Sequence, residues 1–290
     1  MDGPEVTSNR RLNLFSIIIP LLGAVFALFS IPFLAITNTI VMIFIVFFLL
    51  NAIGVGTGLH RFFCHHAFAT STPVHYILAI LGTAACQGPI DRWVADHRRH
   101  HRFTDQLGDT HSPVFRGTKK LQRWSGFFHA HIGWMFEGHV SEISRYAPEI
   151  NRNKIAAWAS RNYMVLCAVG LMAPAIIGYA FGGFSEGLRC LLWAGFARVA
   201  ILHQLTWSVN SIGHMYGSKA PNSADESRDN LVLALLLLGE GLHSSHHINP
   251  TAAVNGPLWL DWNRALLVGL EKLGVVTSLR KRSSSQRPID

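Results

Sequence analysis

The sequence predicts an all-α integral-membrane fold, four transmembrane helices beneath a histidine-rich cap, and three observations lead there. Charged residues make up only 14% of the 290-residue chain and hydrophobic ones 49%, with a mean hydropathy of +0.26. Soluble globular domains carry roughly 25% charged residues, so the composition belongs to a bilayer protein. Four apolar runs each approach the roughly 20 residues that a membrane-crossing helix needs. Histidine is in surplus, with 16 against 17 Asp plus Glu together. Imidazole is the commonest metal ligand and titrates near neutrality, so the surplus points to a site.

The first two runs, 14–34 and 40–59, are separated by Ala35-Ile36-Thr37-Asn38-Thr39 and read as an antiparallel hairpin. No small-residue cleavage site follows the first, which excludes a signal peptide. A second hairpin comprises 163–181 and 191–212, joined by the turn-rich Gly182-Gly183-Phe184-Ser185-Glu186-Gly187. Two shorter stretches, 76–85 and 231–238, cannot span and are expected as helices buried in the cap or lying at the interface. The whole chain, 1–290, then reads as a single domain with its cap in 60–162 and 213–282 and a disordered tail, 283–290.

Four crossings place both termini on one side. Of 25 Lys plus Arg, two precede the first run, 13 lie from Arg61 to Arg161 and eight from Lys219 onward, leaving Arg189 and Arg198 as exceptions. The positive-inside rule makes that side cytoplasmic. The net charge of +8 is therefore a topology signal first, with anionic lipids or acidic proteins as a second reading and no nucleic acid partner. Cys64, Cys86, Cys167 and Cys190 show no CxxC spacing and read as buried thiols, not a disulfide framework.

Three clusters organise the histidines. His60-Arg-Phe-Phe-Cys-His65-His66 begins where the second run ends, His97-Arg-Arg-His100-His101 follows Trp93, and His243-Ser-Ser-His246-His247 follows Gly239-Glu240-Gly241. In the last two, positions i, i+3 and i+4 place three imidazoles on one helix face, which is how a helix presents several ligands to one metal site. His214 closes the fourth run, with Asn210 one turn earlier. His203, inside that run, reads as a satisfied core residue, and His66, His75, His111, His129, His131 and His139 as supporting or surface residues. Crowding so many imidazoles without metal would repeat desolvation costs with no compensating partner.

Nine imidazoles exceed the capacity of one ion and fit two. The ligand type suits Zn, Fe, Cu or Ni, but no HExxH supplies a zinc protease's general base. An oily setting implies a hydrocarbon substrate, and breaking an alkyl C–H bond needs redox chemistry that zinc lacks, which favours iron. A metal transporter would place ionisable residues in mid-span, where this chain has almost none besides Arg198 and His203.

The order HxxxxH, HxxHH, HxxHH resembles the acyl-CoA/C9-type fatty-acid desaturases. So do Asp96-His97-Arg98, Phe127-Phe128-His129-Ala130-His131-Ile132-Gly133-Trp134, Asn210-Ser-Ile-Gly-His214 and Gly239-Glu240-Gly241. The likeness runs from about His60 to Gly274. It implies two Fe ions held by His60, His65, His97, His100, His101, His214, His243, His246 and His247, with Asn210 holding a metal-bound water. It also implies a mushroom-like fold and a bent acyl tunnel.

In that family the substrate is a long acyl chain, oxidised with O₂. No cytochrome b5-like segment is apparent, so electrons are expected from a separate protein such as ferredoxin, or cytochrome b5 with its reductase. Acetylenase or hydroxylase chemistry on the same centre is the alternative. His66 stands where many members have Arg, and Ser244-Ser245 where Asn or aromatic residues are usual. Animal acyl-CoA members have an Arg at the position of Ala95 and a basic pair at Glu137-Gly138. Loss of these coenzyme A contacts raises acyl carrier protein or a membrane lipid as the acyl donor. Finally, Gly56, Ile53 and Leu49 share the face of His60 and are expected to line the path of the acyl tail; close helix approach is the competing role for Gly56.

Overall fold

A computed structural model describes residues 4–32, 35–137, 141–221 and 223–281. The expected tail, His139 and the end of the first apolar run lie outside the described residues. Helices dominate: α1 (Pro4–Ser30), α2 (Asn38–Cys64), α3 (Thr72–Thr83), α4 (Ile90–Phe103), α5 (Arg123–His131), α6 (Lys154–Arg161), α7 (Tyr163–His214), α8 (Leu231–Leu236), α9 (His243–Ile248) and α10 (Trp262–Lys272). Two short ribbons add the only strands among the described residues. β1 (Ala69–Thr70) pairs antiparallel with β4 (Val276–Thr277), and β2 (Phe115–Arg116) with β3 (Lys119–Lys120).

Three helices, α1, α2 and α7, are long and apolar enough to cross a membrane. Their outward residues, such as Phe26, Phe29, Met42, Val165 and Ile176, are exposed, as a lipid-facing surface requires. The 52-residue α7 is not one rod. Gly182 and Gly183 leave helical geometry, Gly183 with a φ of 68° that glycine adopts without penalty. The chain reverses there: Arg198 donates 2.9 Å to the carbonyl of Gly170, 28 positions away, about 40 Å on a straight helix. The reversal needs only this pair of glycines, because Ser185–Gly187, expected in the turn, is already helical.

Small residues draw the helices together. A Cβ on Gly54 would run into the Leu81 backbone of α3, and one on Gly170 would lie 2.6 Å from the Ala84 carbonyl oxygen. Arg198, fully buried, bonds Asn51 on α2 and the Ala194 and Gly170 carbonyls. It thus crosslinks α2 to both arms of α7 through neutral acceptors. His203 is buried beside it and meets the Ala85 carbonyl oxygen at 3.0 Å, and all four cysteines are buried and free.

The cap closes over one end of the bundle. Arg98 on α4 donates to the Cys64 carbonyl at 2.7 Å and to the Tyr146 carbonyl at 3.1 Å, satisfying orphan groups at the end of α2. Arg61 reaches Asp261 at 2.8 Å and the Ala253 carbonyl at 2.7 Å, tying α2 to the segment before α10.

The glycines predict opposite signs for one substitution. Gly54→Ala overpacks α2 against α3 and should cost about 1–3 kcal/mol. Gly269→Ala, with open space around it in α10, should gain about 0.5–1 kcal/mol. Thermal unfolding of the detergent-solubilised variants checks both: the first should melt below the parent protein and the second above it.

Candidate metal centre

The first pair of imidazoles depends on a change of helical pitch. From Gly54 to Cys64, α2 widens to i→i+5 bonding, and the His65 amide donates to the His60 carbonyl at 3.1 Å. Residues five apart lie roughly 140° apart around an α-helix, which would send His60 and His65 in different directions. The wider turn stacks them. Their ring centroids are 4.8 Å apart. An HxxxxH box therefore requires a π-helical segment if both residues serve one site.

The two HxxHH boxes behave differently from the expectation that each serves one site. His97 and His101 of α4 and His246 of α9 join His60 and His65 in one cluster, whereas His100 joins His214, His243 and His247 in another. Helical geometry explains the split. Positions i and i+4 differ by about 40°, while i+3 and i+4 differ by about 100°. In each box the i, i+4 pair stays together and the i+3 residue turns to the other cluster. Two helices thereby each feed both clusters, with opposite weighting.

All candidate ligand atoms within a cluster lie within 4.8 Å of one another. In the first, Nε2 atoms face each other at 2.9 Å (His60–His246), 3.1 Å (His65–His97), 3.0 Å (His97–His101) and 3.0 Å (His101–His246). In the second, the separations are 2.9 Å (His214–His243) and 3.4 Å (His100–His247). Nitrogens bound about 2.1 Å from one ion lie roughly 3.0–3.4 Å apart at octahedral to tetrahedral angles, so the spacing fits.

Carboxylates fix the tautomers. The opposite ring nitrogen, Nδ1, meets Asp109 at 2.9 Å in His100, Asp105 at 3.0 Å in His214 and Asp225 at 3.0 Å in His247. His60 Nδ1 meets Glu240. An imidazole that donates Nδ1–H to a carboxylate presents a lone pair at Nε2. His100 and His247 are both so held, and their Nε2 lone pairs face each other with no proton to share. A cation between them reconciles that arrangement.

Burial first, and the neighbouring imidazoles second, pull His97, His100, His243 and His246 well below the ordinary histidine range; the neutral form is the ligand form. Burial would raise Glu240, but His60 and Arg61 outweigh it and bring that carboxyl down to about 2.

These carboxylates are the functional residues that sequence reasoning missed. Glu240 was visible only as part of a motif, and Asp105, Asp109 and Asp225 not at all. The usable signal is that ligating histidines nearly always donate their second nitrogen to a partner, so acids just after a box merit a search.

Beside the clusters lies a cavity of about 80 Å³ whose walls include Gln87, Trp93, His97, Trp134, Thr206 and Asn210. Trp93 stacks on His97 with centroids 4.9 Å apart. His111, expected among the supporting residues, is buried on the same wall and stacks on His100 at 4.1 Å. His66 is exposed and paired with Glu149. Gly56 faces Asn263 and Glu240, Leu49 is 41% exposed, and Ile53 is half-buried. None of these three borders the cavity.

With this geometry in place, similarity to known proteins becomes informative. The fatty acid desaturase family profile matches residues 37–256. A hex-5-enoyl-[acyl-carrier protein] acetylenase from Moorena producens is 37% identical over 268 residues, 91% of this chain and 84% of that protein. The sn-1 stearoyl-lipid 9-desaturase of Synechocystis sp. is 34% identical over 76% of this chain and 64% of its own length. The acyl-CoA desaturase of Ovis aries is 28% identical over 79% of this chain and 62% of its own. The histidine clusters, the apolar helices and these matches agree: the chain belongs to the membrane fatty acid desaturase family, whose members are oxidoreductases.

Proposed function

We propose that this protein is an O₂-dependent acyl desaturase whose two irons are held by His60, His65, His97, His101 and His246 on one side and His100, His214, His243 and His247 on the other. Asn210 is the water-mediated contact of the second group. The observation that carries this reading is the pair of imidazole clusters with facing Nε2 atoms. When bound, the irons supply the oxidising power of O₂ at an unactivated C–H bond. The overall balance is loss of two hydrogens from adjacent methylenes and reduction of O₂ to two waters, with two electrons from a separate donor and two protons.

The chain's own residues do the remaining work. Asp105, Asp109, Asp225 and Glu240 hold ring orientation through Nδ1. Trp93 and Trp207 give the cavity apolar walls, and Gln87 and Thr206, hydrogen-bonded at 3.1 Å, fix its shape. An acyl chain placed there is oriented by burial worth about 0.8 kcal/mol per CH₂. The reversal at Gly182–Gly183 supports four crossings, with the centre and both termini on the cytoplasmic face that carries 23 of the 25 basic residues.

Acetylenic bond formation is the second reading, favoured by the 37% identity to an acetylenase across most of that protein. The acyl donor we infer is acyl carrier protein in preference to acyl-CoA. Ala95 is fully buried, and Glu137 pairs with Arg116 at 2.6 Å, so neither position offers a cation to coenzyme A phosphates.

Three measurements follow. Expression in a host of known lipid composition, with mass spectrometry of its fatty acids, should reveal new double or triple bonds; an unchanged profile with iron-loaded protein and a competent electron donor would refute the reading. Asp225→Asn should weaken metal retention about 10–100-fold, seen as faster iron loss to a chelator, while membrane insertion is unchanged. In direct competition, acyl carrier protein substrates should be converted ahead of acyl-CoA of the same chain length, and the reverse preference would exclude the assignment of the acyl donor.

A further inference from the structure

The sequence places a compact basic and aromatic segment, Arg116 to Phe128, between the second histidine box and the Gly133–Phe136 turn, and neither cluster uses it. Its helix, α5, has two opposed faces. Gly126 and Ala130 are buried, Gly126 so closely that a Cβ would run into the Pro113 carbonyl oxygen. On the other side Trp124 and Phe128, one turn apart, are 69% and 63% exposed. The β2–β3 ribbon beside them presents Arg116, Lys119 and Lys120, and α5 opens with Arg123, all exposed.

The contacts of α5 fix its height on the bundle. His131 bonds Ser211 at 2.9 Å and Gln204 at 3.1 Å on the second arm of α7, and Ile201, one turn below Gln204, is exposed apolar surface. On α1, Asn13 donates 2.7 Å to the Met135 carbonyl in the turn after α5, and exposed Leu14 and Phe15 follow at once. Both helices thus change from polar contacts to bare apolar surface at the level of α5. Such a change is what the boundary between headgroups and hydrocarbon imposes on a helix surface.

Aromatic side chains flanked by lysine and arginine are the residues that settle at such a boundary, rings among the upper acyl carbons and cations among the phosphates. We propose that Arg116, Lys119, Lys120 and Arg123, with Trp124 and Phe128, form a docking surface for anionic phospholipid headgroups. The surface is coupled to the cavity: Arg116 holds Glu137, which follows the turn carrying Trp134 and Met135 on the cavity wall. Charge complementarity favours anionic over zwitterionic lipid here, and the exposed ring pair favours a bilayer over an acidic soluble protein.

The test uses the full chain in proteoliposomes containing brominated phosphatidylglycerol or brominated phosphatidylcholine at equal mole fraction. The Trp124 signal is the difference between the parent protein and Trp124→Phe. It should be quenched at least about twofold more by the anionic lipid, and Lys119→Gln/Lys120→Gln should abolish the preference while leaving quenching by phosphatidylcholine. Equal quenching by both lipids in the parent protein overturns the proposal. So does a Trp124 signal quenched by neither, which would leave the surface to an acidic protein. The readout does not depend on catalysis, so it stands apart from the proposed reaction.

Discussion

Facing Nε2 lone pairs within 4.8 Å of one another are a demand that the whole cap is arranged around. Neutral imidazoles so disposed repel unless a proton or a cation lies between them. The carboxylates at Nδ1 of His60, His100, His214 and His247 bias against the proton by fixing the opposite tautomer. What remains is a metal. Binding free energy of this kind is folding free energy, so a metal bound there would help to hold α4, α9 and the ends of α2 and α7 together.

Charge pairing supports the same picture. Asp105, Asp109, Asp225 and Glu240 each place a carboxyl group against a ligand imidazole, and Arg61 pairs with Asp261 at 2.8 Å. Buried charge is tolerated only when paired and hydrogen-bonded, and each of these carboxyl groups meets an imidazole nitrogen. Arg61 also contacts Glu240, so one guanidinium joins the carboxylate that holds His60 to the segment before α10.

The sequence made the ligands legible because their spacing is a helical signature, and made the apolar runs legible because hydrocarbon length is fixed. It did not reveal how the boxes divide. His97, His100 and His101 look like one face when only i, i+3 and i+4 are counted. The 100° between His100 and His101 matters only once a second cluster lies nearby. The π-helical stretch was hidden for a related reason: Gly56 was placed by α-helical phase on the face of His60, and nothing in Gly54, Gly56 and Gly58 signals that the pitch changes there. Asp105, Asp109 and Asp225 were invisible because their roles depend on partners up to 109 positions away.

The same glycines bear on where an acyl chain can run. On the side of α2 that carries Gly54 and Gly58, the α3 backbone lies against the helix, and Gly56 meets Asn263 and Glu240. Close approach of this kind is what small residues provide in membrane helices. The cavity instead borders His97 and Asn210 from the side of α1, α4 and α7, with Asn13, Trp93 and Trp207 on its walls. Two faces of the centre are thus specialised: α2 and α10 seal one with glycine contacts and the Arg61 network. The other keeps indole rings and a free volume next to His97. On that side α4 presents His100 and His101, residues one position apart that turn to different clusters.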